Sequence, residues 1–386
     1  MSKKNPIALI LVLWAAGLGA AGQFAKVSVS FEALGSVYPV SDTYLGLIVS
    51  VISVMGIIFG LTAAQFVSSI GFRKMLLGAL FLGGVLSAIQ ATLPPYWVLM
   101  LSRTLEGITH LAITIAAPTL IAVLSSAQNR AFFMALWSTF FSVAFATMAW
   151  FGPQVIQAFG PGSLFALHAG YMAVIGAVLY FWLPKHAVAT QAMPSASEII
   201  QRHIRAYRSP REFAPALGWL FYTLTFVSVL TLLPPHVTEA QRTTLIPLLP
   251  LASIVSSLTV GALLLRIIQA YRLIQIGFAI GAAAAIALLM GIATPIVYIS
   301  LFAALGLVQS SSFAAIPQLN KTADSQALAN GGMSQMGNLG NSLGTPIMLV
   351  VIGWHGFPGL AGMLLVCFLG GILAHSILAQ QRLKQL

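Results

Sequence analysis

Long, nearly uncharged apolar runs are the feature of this sequence that most restricts its fold. Of the 386 residues, 59% are hydrophobic and only 6% are charged, whereas a soluble domain carries about 25% charged residues. Such a composition cannot cover a water-exposed surface, so it excludes soluble enzymes, nucleic-acid binders and disordered proteins. The runs are also too long for the strands of a membrane barrel, which span about ten residues. The sequence therefore predicts an all-α membrane protein.

Twelve of these runs are long enough to cross a bilayer, which requires about 20 apolar residues. The predicted transmembrane helices are residues 6–31, 43–69, 75–93, 96–123, 131–158, 163–184, 213–236, 244–265, 273–292, 295–319, 327–352 and 358–380. Helix-breaking residues mark four turns between them, namely Pro94-Pro95, Gly160-Pro161-Gly162, Thr294-Pro295 and Gly356-Phe357-Pro358. We interpret the first run as an uncleaved helix, because it is too long for a signal peptide and further spans follow.

The distribution of lysine and arginine predicts the orientation of these helices. With twelve spans, fifteen of the eighteen basic residues fall on the side of the N-terminus, Arg242 alone falls on the other side, and Lys26 and Arg103 lie within spans. We therefore expect both termini to be cytoplasmic in a bacterial inner membrane. The net charge of +11 does not indicate nucleic acid, because the basic residues form no stripe.

The longest polar segment divides the sequence into two halves. We expect an N-terminal six-helix bundle at residues 1–184, a basic cytoplasmic linker at 185–212 and a C-terminal six-helix bundle at 213–386. Within the linker, the segment from Ser195 to Tyr207 predicts a short amphipathic helix with isoleucines toward the membrane and arginines toward water. A linker that only follows the positive-inside rule is the alternative.

Two local motifs accompany this organisation. The loop after span two contains Gly71 followed by Arg73-Lys74, and span four contains Arg103-Thr104-Leu105-Glu106-Gly107. With six spans, a basic loop and six further spans, they resemble the major facilitator superfamily, whose patterns are roughly G-x-L-A-D-R-x-G-R-R/K and R-x-x-Q-G. Ser68 stands at the acidic position of the loop pattern, and Glu106 replaces the polar residue of the second pattern.

The resemblance implies a secondary transporter whose halves expose a central cavity to one side of the membrane at a time. It also implies that Gly71, Arg73 and Lys74 belong to a gating loop. The family's antiporter signature is represented only by Gly152-Pro153, which weakens an antiporter interpretation. Within the superfamily, the sequence is loosely similar to the cyanate and nitrate-like permease group.

Ionisable residues inside the hydrocarbon mark functional positions, because a charge there is costly. Of the seven acidic residues, only Glu106 lies deep within a predicted span. Arg103, Glu106, Gly107 and His110 occupy positions i, i+3, i+4 and i+7, which share one face of a helix. We expect Glu106 and Arg103 to couple transport to protons, and a purely structural ion pair is the alternative.

Polar and aromatic residues of several spans are candidates for solute binding. Lys26 in span one would meet an anionic solute or would extend its ammonium group to the membrane surface. The other candidates would contact the solute or would pack the helices together. The candidate substrate-binding residues are Lys26, Arg103, Gln23, His110, Trp137, Tyr222, Gln309, Gln335 and Asn338.

Two deep cations and one deep acid favour a small anionic solute that moves together with protons. Proton-driven efflux of an amphipathic drug or metabolite is one alternative, and a non-transporting assembly or sensor protein on the same fold is another. The sequence has no nucleotide-binding loop, metal-ligand spacing or catalytic triad, so we expect no enzyme activity, no catalytic residues, no cofactor and no metal. The expected partners are a small-molecule solute, protons and the lipid bilayer, and the chain is expected to be a monomer.

Overall fold

A computed structural model describes residues 6–126, 128–184 and 195–384, and every regular element in these ranges is helical. Lys3, Lys4 and Lys185 of the orientation count, and residues 185–194 of the predicted linker, lie outside the described residues. The α-helices are α1 (Pro6–Val29), α2 (Phe31–Val37), α3 (Asp42–Ser50), α4 (Val54–Phe59), α5 (Ala63–Ile70), α6 (Phe72–Ala91), α7 (Tyr96–Leu124), α8 (Arg130–Ser138), α9 (Phe140–Phe159), α10 (Ser163–Trp182), α11 (Ala196–Arg208), α12 (Phe213–Leu232), α13 (Glu239–Ser256), α14 (Ala262–Leu264), α15 (Ala270–Leu289), α16 (Pro295–Leu319) and α17 (Ala323–Leu383). Single 3-10 turns lie at Val51–Ser53 and Pro234–His236, and a π-helical turn lies at Ser257–Gly261.

The long helices satisfy their backbone hydrogen bonds internally, as a segment inside hydrocarbon must. Ten helical segments of the described residues are long and apolar enough to cross a membrane, or eleven if the bent pair α8 and α9 is one span. The predicted all-helical, multi-pass character is therefore confirmed. The number twelve and the cytoplasmic position of the termini stay predictions.

Three regions depart from single straight spans. The predicted span 43–69 is divided among α3, a 3-10 turn, α4 and α5, and the predicted span 131–158 bends by 43° between α8 and α9. Helix α17 runs through the last two predicted spans but is interrupted at Gly356, where φ is 62° and ψ is −152°. Glycine adopts a positive φ without the steric cost of a Cβ atom, which explains why the chain breaks at this predicted turn.

The described helices belong to two compact units. Unit 1 contains Met1–Val40 and Thr62–Ser195, and unit 2 contains Ser41–Leu61 and Ala196–Leu386. Their membership differs from the predicted bundles in one segment, because residues 41–61 precede the linker yet group with unit 2. The division of the sequence into two six-helix bundles stays a prediction.

Close packing explains why α3 and α4 group with unit 2. A Cβ atom on Gly46 would lie 2.5 Å from Leu349 Cδ1, and one on Gly56 would lie 2.1 Å from Asn338 Cγ. Small residues at such contacts let the backbones of two membrane helices approach closely. The two glycines therefore fit α3 and α4 tightly against α17.

In unit 1, glycines of α1 perform the same function. A Cβ atom on Gly17 would lie 2.6 Å from the ring of Trp137 in α8, and one on Gly22 would lie 2.9 Å from the ring of His168 in α10. Helix α1 consequently packs deep among α7, α8, α9 and α10. This packing carries the polar residues at its C-terminal end into the interior of the unit.

The predicted linker helix is present as α11 and packs against α17. Its two central arginines do not face water alone, because Arg205 Nη1 lies 2.6 Å and Arg202 Nη2 lies 3.5 Å from the carboxylate of Asp324. Ile200 and Ile204 are exposed. The helix therefore uses its arginines to attach to the start of α17, which the sequence pattern did not indicate.

Gly306 lies where α16 packs closely on α13. A Cβ atom there would lie 2.2 Å from the backbone oxygen of Ser253. We expect Gly306→Ala to destabilise the protein by about 1–3 kcal/mol, because one of the two backbones must move. Gly78→Ala is the matched control, since nothing lies within 4 Å of its added atom. Thermal unfolding in detergent micelles checks this, and equal melting temperatures for the two variants would contradict it.

Candidate functional site

A buried ion pair between α1 and α7 forms the centre of the candidate site. Lys26 Nζ lies 2.6 Å from Glu106 Oε1, and both side chains are completely buried. The ammonium group also donates a hydrogen bond of 2.6 Å to Ser87 Oγ of α6. Lys26 therefore does not extend to the membrane surface in this conformation, which was one of the two expectations for it.

Arg103 binds the other oxygen of the same carboxylate. Its Nη1 donates to Glu106 Oε2 one helical turn away, and to the backbone oxygen of Gln23 at 2.7 Å. The Arg103 side chain is also completely buried. Glu106 is thus held between two cations that come from two different helices.

Helix α6 completes the polar surroundings of the carboxylate. Gln90 Nε2 donates to Glu106 Oε2 at 3.1 Å and lies 3.2 Å from Ser102 Oγ. Both carboxylate oxygens therefore accept hydrogen bonds from donors on other residues. Donors of this number and charge replace the water that an ionised carboxylate loses on burial.

His168 of α10 lies on the far side of Lys26. Its Nε2 is 2.8 Å from the backbone oxygen of Gly19, which can only accept, so the ring hydrogen is assigned to Nε2. Nδ1 then accepts from Ser87 Oγ at 2.7 Å and lies 3.4 Å from Lys26 Nζ. Since Ser87 has one hydrogen, its contact of 3.3 Å with Glu106 is the weaker alternative.

The charges of this cluster do not cancel. With His168 neutral, Lys26 and Arg103 supply two positive charges and Glu106 supplies one negative charge. A buried ion pair needs good geometry and further hydrogen bonds to offset its desolvation, and this cluster has both. It retains an excess of one positive charge inside unit 1. We call Lys26, Arg103, Glu106, Ser87, Gln90 and His168 the charge centre.

Comparison with known proteins agrees with the multi-pass membrane architecture. The family model described as Major Facilitator Superfamily matches residues 7–345. The chain belongs to this superfamily. It is therefore a membrane transporter by family, as the sequence motifs implied.

Individual relatives of this transporter are distant. The inner membrane transport protein YajR of Escherichia coli (strain K12) is 23% identical over 201 residues, which cover 52% of this chain and only 43% of that protein. The crystal structure of a bacterial homologue of the human lysosomal transporter Spinster, inward-facing and occupied, matches with a TM-score of 0.74 and 13% identity over 98% of this chain and 97% of that one. The human organic anion transporter MFSD10 matches with a TM-score of 0.68 and 15% identity over 97% and 100%. These structures share the fold.

The remaining candidates of unit 1 lie close to the charge centre or in the core. Gln23 Nε2 donates to Thr109 Oγ1 at 2.7 Å. His110 Nδ1 lies 3.0 Å from the backbone oxygen of Ala20 and its ring packs edge-on against Phe24. Trp137 is 9% exposed in the hydrophobic core. The structure thus places Gln23 and His110 beside the centre and Trp137 in packing.

The other candidate residues belong to unit 2. Tyr222 is buried in an aromatic stack on α12, and Gln309 is buried in α16. Gln335 accepts from the Tyr207 hydroxyl and donates to the backbone oxygen of Ile57. Burial raises the pKa of Tyr207 to about 12, so its hydroxyl keeps the hydrogen that it donates. Asn338 donates to the backbone oxygen of Ser334 at 2.8 Å.

The predicted gating loop lies at the junction of α5 and α6. Gly71 has a φ of 102°, in the region that favours glycine, which lets α6 start directly after α5 ends. Arg73 donates to the backbone oxygens of Leu183 at 3.1 Å and Tyr180 at 2.8 Å. Arg73 therefore caps the end of α10, and Lys74 is exposed.

Ser87, Gln90 and His168 are residues of the charge centre that the sequence pattern did not indicate. Ser87 and Gln90 are separated by three positions, which gives them one face of α6, and His168 is an ionisable residue within an apolar helix. These signals were present, but only the packing of the helices shows that Ser87 and Gln90 contact Glu106 and that His168 contacts Ser87 and lies beside Lys26. Within the described part of the chain, no group of three histidine, cysteine or carboxylate side chains is arranged to hold a metal ion.

The unequal charges predict an order of stability for variants of the charge centre. Glu106→Gln leaves two buried cations unpaired and is expected to cost about 3–5 kcal/mol. Lys26→Met is expected to cost less, because Arg103 and Glu106 remain as a balanced pair. Chemical unfolding in micelles measures both, with the exposed Glu239→Gln as a control that should stay within about 0.5 kcal/mol of the parent. A larger loss in Lys26→Met than in Glu106→Gln would contradict this account.

Proposed function

We propose that this superfamily member is a proton-coupled secondary transporter that moves a small anionic solute across the bacterial inner membrane by alternating access. The charge centre of unit 1 is the observation that carries the proposal. Three ionised side chains with no exposed surface are expensive within a membrane and are retained there mainly for ion and proton pathways. The solute is proposed to cross the membrane without chemical change, so no enzymatic step is involved.

The excess positive charge supports an anionic solute. Two buried cations compete for one carboxylate, so the field around the centre is positive and favours a negative charge in its neighbourhood. An amphipathic cation would meet repulsion from both Lys26 and Arg103. The charge balance therefore favours an anion over a cationic drug.

Glu106 and Arg103 are proposed to carry the proton coupling. In the described conformation the carboxylate is fully paired, so its ionised form is the stable one. If Lys26 and Arg103 both turn away to meet the solute, the buried carboxylate loses both of its counter-charges and its neutral, protonated form becomes favourable. Solute binding and proton binding would then require one another.

The proposal also covers the number of spans, the linker, the gating loop and the solute contacts of the transporter. If α8 and α9 form one span and α17 forms two spans separated at Gly356, the described segments correspond to twelve spans. Both termini are proposed to be cytoplasmic. The chain would act as a monomer with a basic linker at residues 185–212. Gly71, Arg73 and Lys74 would form the gating loop. The proposed solute contacts are Lys26, Arg103, Gln23, His110, Trp137, Tyr222, Gln309, Gln335 and Asn338.

A thermal-shift screen tests the proposed solute class. The purified protein is heated with matched panels of small organic anions and lipophilic cations, because a ligand of the native state raises the melting temperature by mass action. We expect anions to stabilise the protein, and we expect this shift to disappear in Lys26→Met and in Arg103→Ala. Lys26→Met is the more informative variant, since it keeps the Arg103–Glu106 pair.

The opposite result would identify a different function. Stabilisation by lipophilic cations that is lost in Glu106→Gln would contradict the anion proposal and indicate proton-driven efflux. Stabilisation by neither panel, together with a stable protein partner in pull-down experiments, would indicate a non-transporting assembly or sensor protein.

A further inference from the structure

Three arginines meet at one end of unit 2, where α12 and α15 begin and α17 ends. They are Arg211, Arg272 and Arg382, and no carboxylate of the described residues lies within ion-pairing distance of any of them. The N-terminal ends of α12 and α15 add positive partial charge to the same region. This end of unit 2 therefore concentrates positive charge without a described counter-charge.

Arg382 is the most constrained of the three. It is 8% exposed, and its Nη1 donates to the backbone oxygen of Pro210 at 3.2 Å. Its guanidinium carbon lies 5.2 Å from the centre of the Tyr271 ring. Its Nη2 is buried and has no hydrogen-bond partner among the described residues. A buried charge of this kind is costly unless an anion or further acceptors accompany it.

The other two arginines give this region an accessible side. Arg272 is exposed, its guanidinium carbon lies 5.9 Å from the centre of the same Tyr271 ring, and its Nε is 3.3 Å from the Tyr271 hydroxyl. Arg211 is exposed and close enough to Arg382 to repel its charge. Arg272 and Arg382 thus both contact the Tyr271 ring, and Arg211 adds a third positive charge close to Arg382.

We propose that Arg211, Arg272 and Arg382 form an anion-binding site for a phosphate group, separate from the charge centre. The planar guanidinium groups match the oxygens of phosphate with paired hydrogen bonds. The phosphate can come from the headgroup of an anionic phospholipid, since the site lies at the ends of three membrane-spanning helices, or from phosphate in solution. An anion there neutralises the charge that Arg382 otherwise keeps without a counter-ion.

Melting temperatures of the full-length protein in micelles test this site with two probes. One is inorganic phosphate against chloride at equal ionic strength, and the other is phosphatidylglycerol against phosphatidylcholine in mixed micelles. We expect at least one probe to raise the melting temperature. Arg272→Gln should increase the apparent Kd about tenfold, since it removes one charge-assisted contact. Arg382→Gln should weaken binding at least as much.

The matched control is Arg266→Gln, which removes the same charge from an exposed position just before α15 and should leave the Kd unchanged. Stabilisation by phosphate would assign the site to a soluble anion, and stabilisation by phosphatidylglycerol alone would assign it to a lipid headgroup. No stabilisation by either probe, or equal losses in Arg272→Gln and Arg266→Gln, would overturn the proposal. Lys26→Met should leave this binding intact, which distinguishes the site from solute binding at the charge centre.

Discussion

The ion pairs and hydrogen bonds of Glu106 form the network on which the interior of unit 1 depends. Lys26 from α1, Arg103 from α7 and Gln90 from α6 all donate to one carboxylate that water does not reach. Removing Lys26 or Arg103 changes the charge balance around the carboxylate, and removing Gln90 takes away one of its hydrogen-bond donors. The same network therefore fixes the relative positions of three helices and provides the only described carboxylate in the core of unit 1 to which a transported charge could be coupled.

Much of the fold could be predicted from the sequence because hydrocarbon imposes a simple rule. An apolar run must become a helix to satisfy its own backbone, so the boundaries of α6, α7 and α10 fall close to the predicted ones. Breaks between helices could also be predicted where glycine or proline occurs, as at Gly356. The bend between α8 and α9 could not be predicted, since no glycine or proline occurs where α8 ends and α9 begins.

Only part of the candidate site could be predicted, because the contacts between different helices depend on how those helices pack. The spacing of Arg103 and Glu106 along one helix indicates their pairing, whereas the contact of Lys26 with Glu106 requires α1 to be placed against α7. Likewise, the sequence indicates Gln335 as a candidate solute contact, but it does not show that Gln335 bridges the Tyr207 hydroxyl and the backbone oxygen of Ile57 in α4. A polar residue within a membrane helix indicates that a polar partner is needed, but the sequence does not show which residue that partner is.

We propose that the charge centre couples the movement of a proton to that of an anion. Proteoliposomes that contain a pH-sensitive dye test this coupling, with each stabilising organic anion from the screen added on the outside. We expect the anion to acidify the interior when the parent protein is present, and we expect Glu106→Gln to abolish this acidification while anion binding persists. Acidification that continues unchanged in Glu106→Gln would contradict a role of Glu106 in coupling, because protons would then move without the only carboxylate of the charge centre.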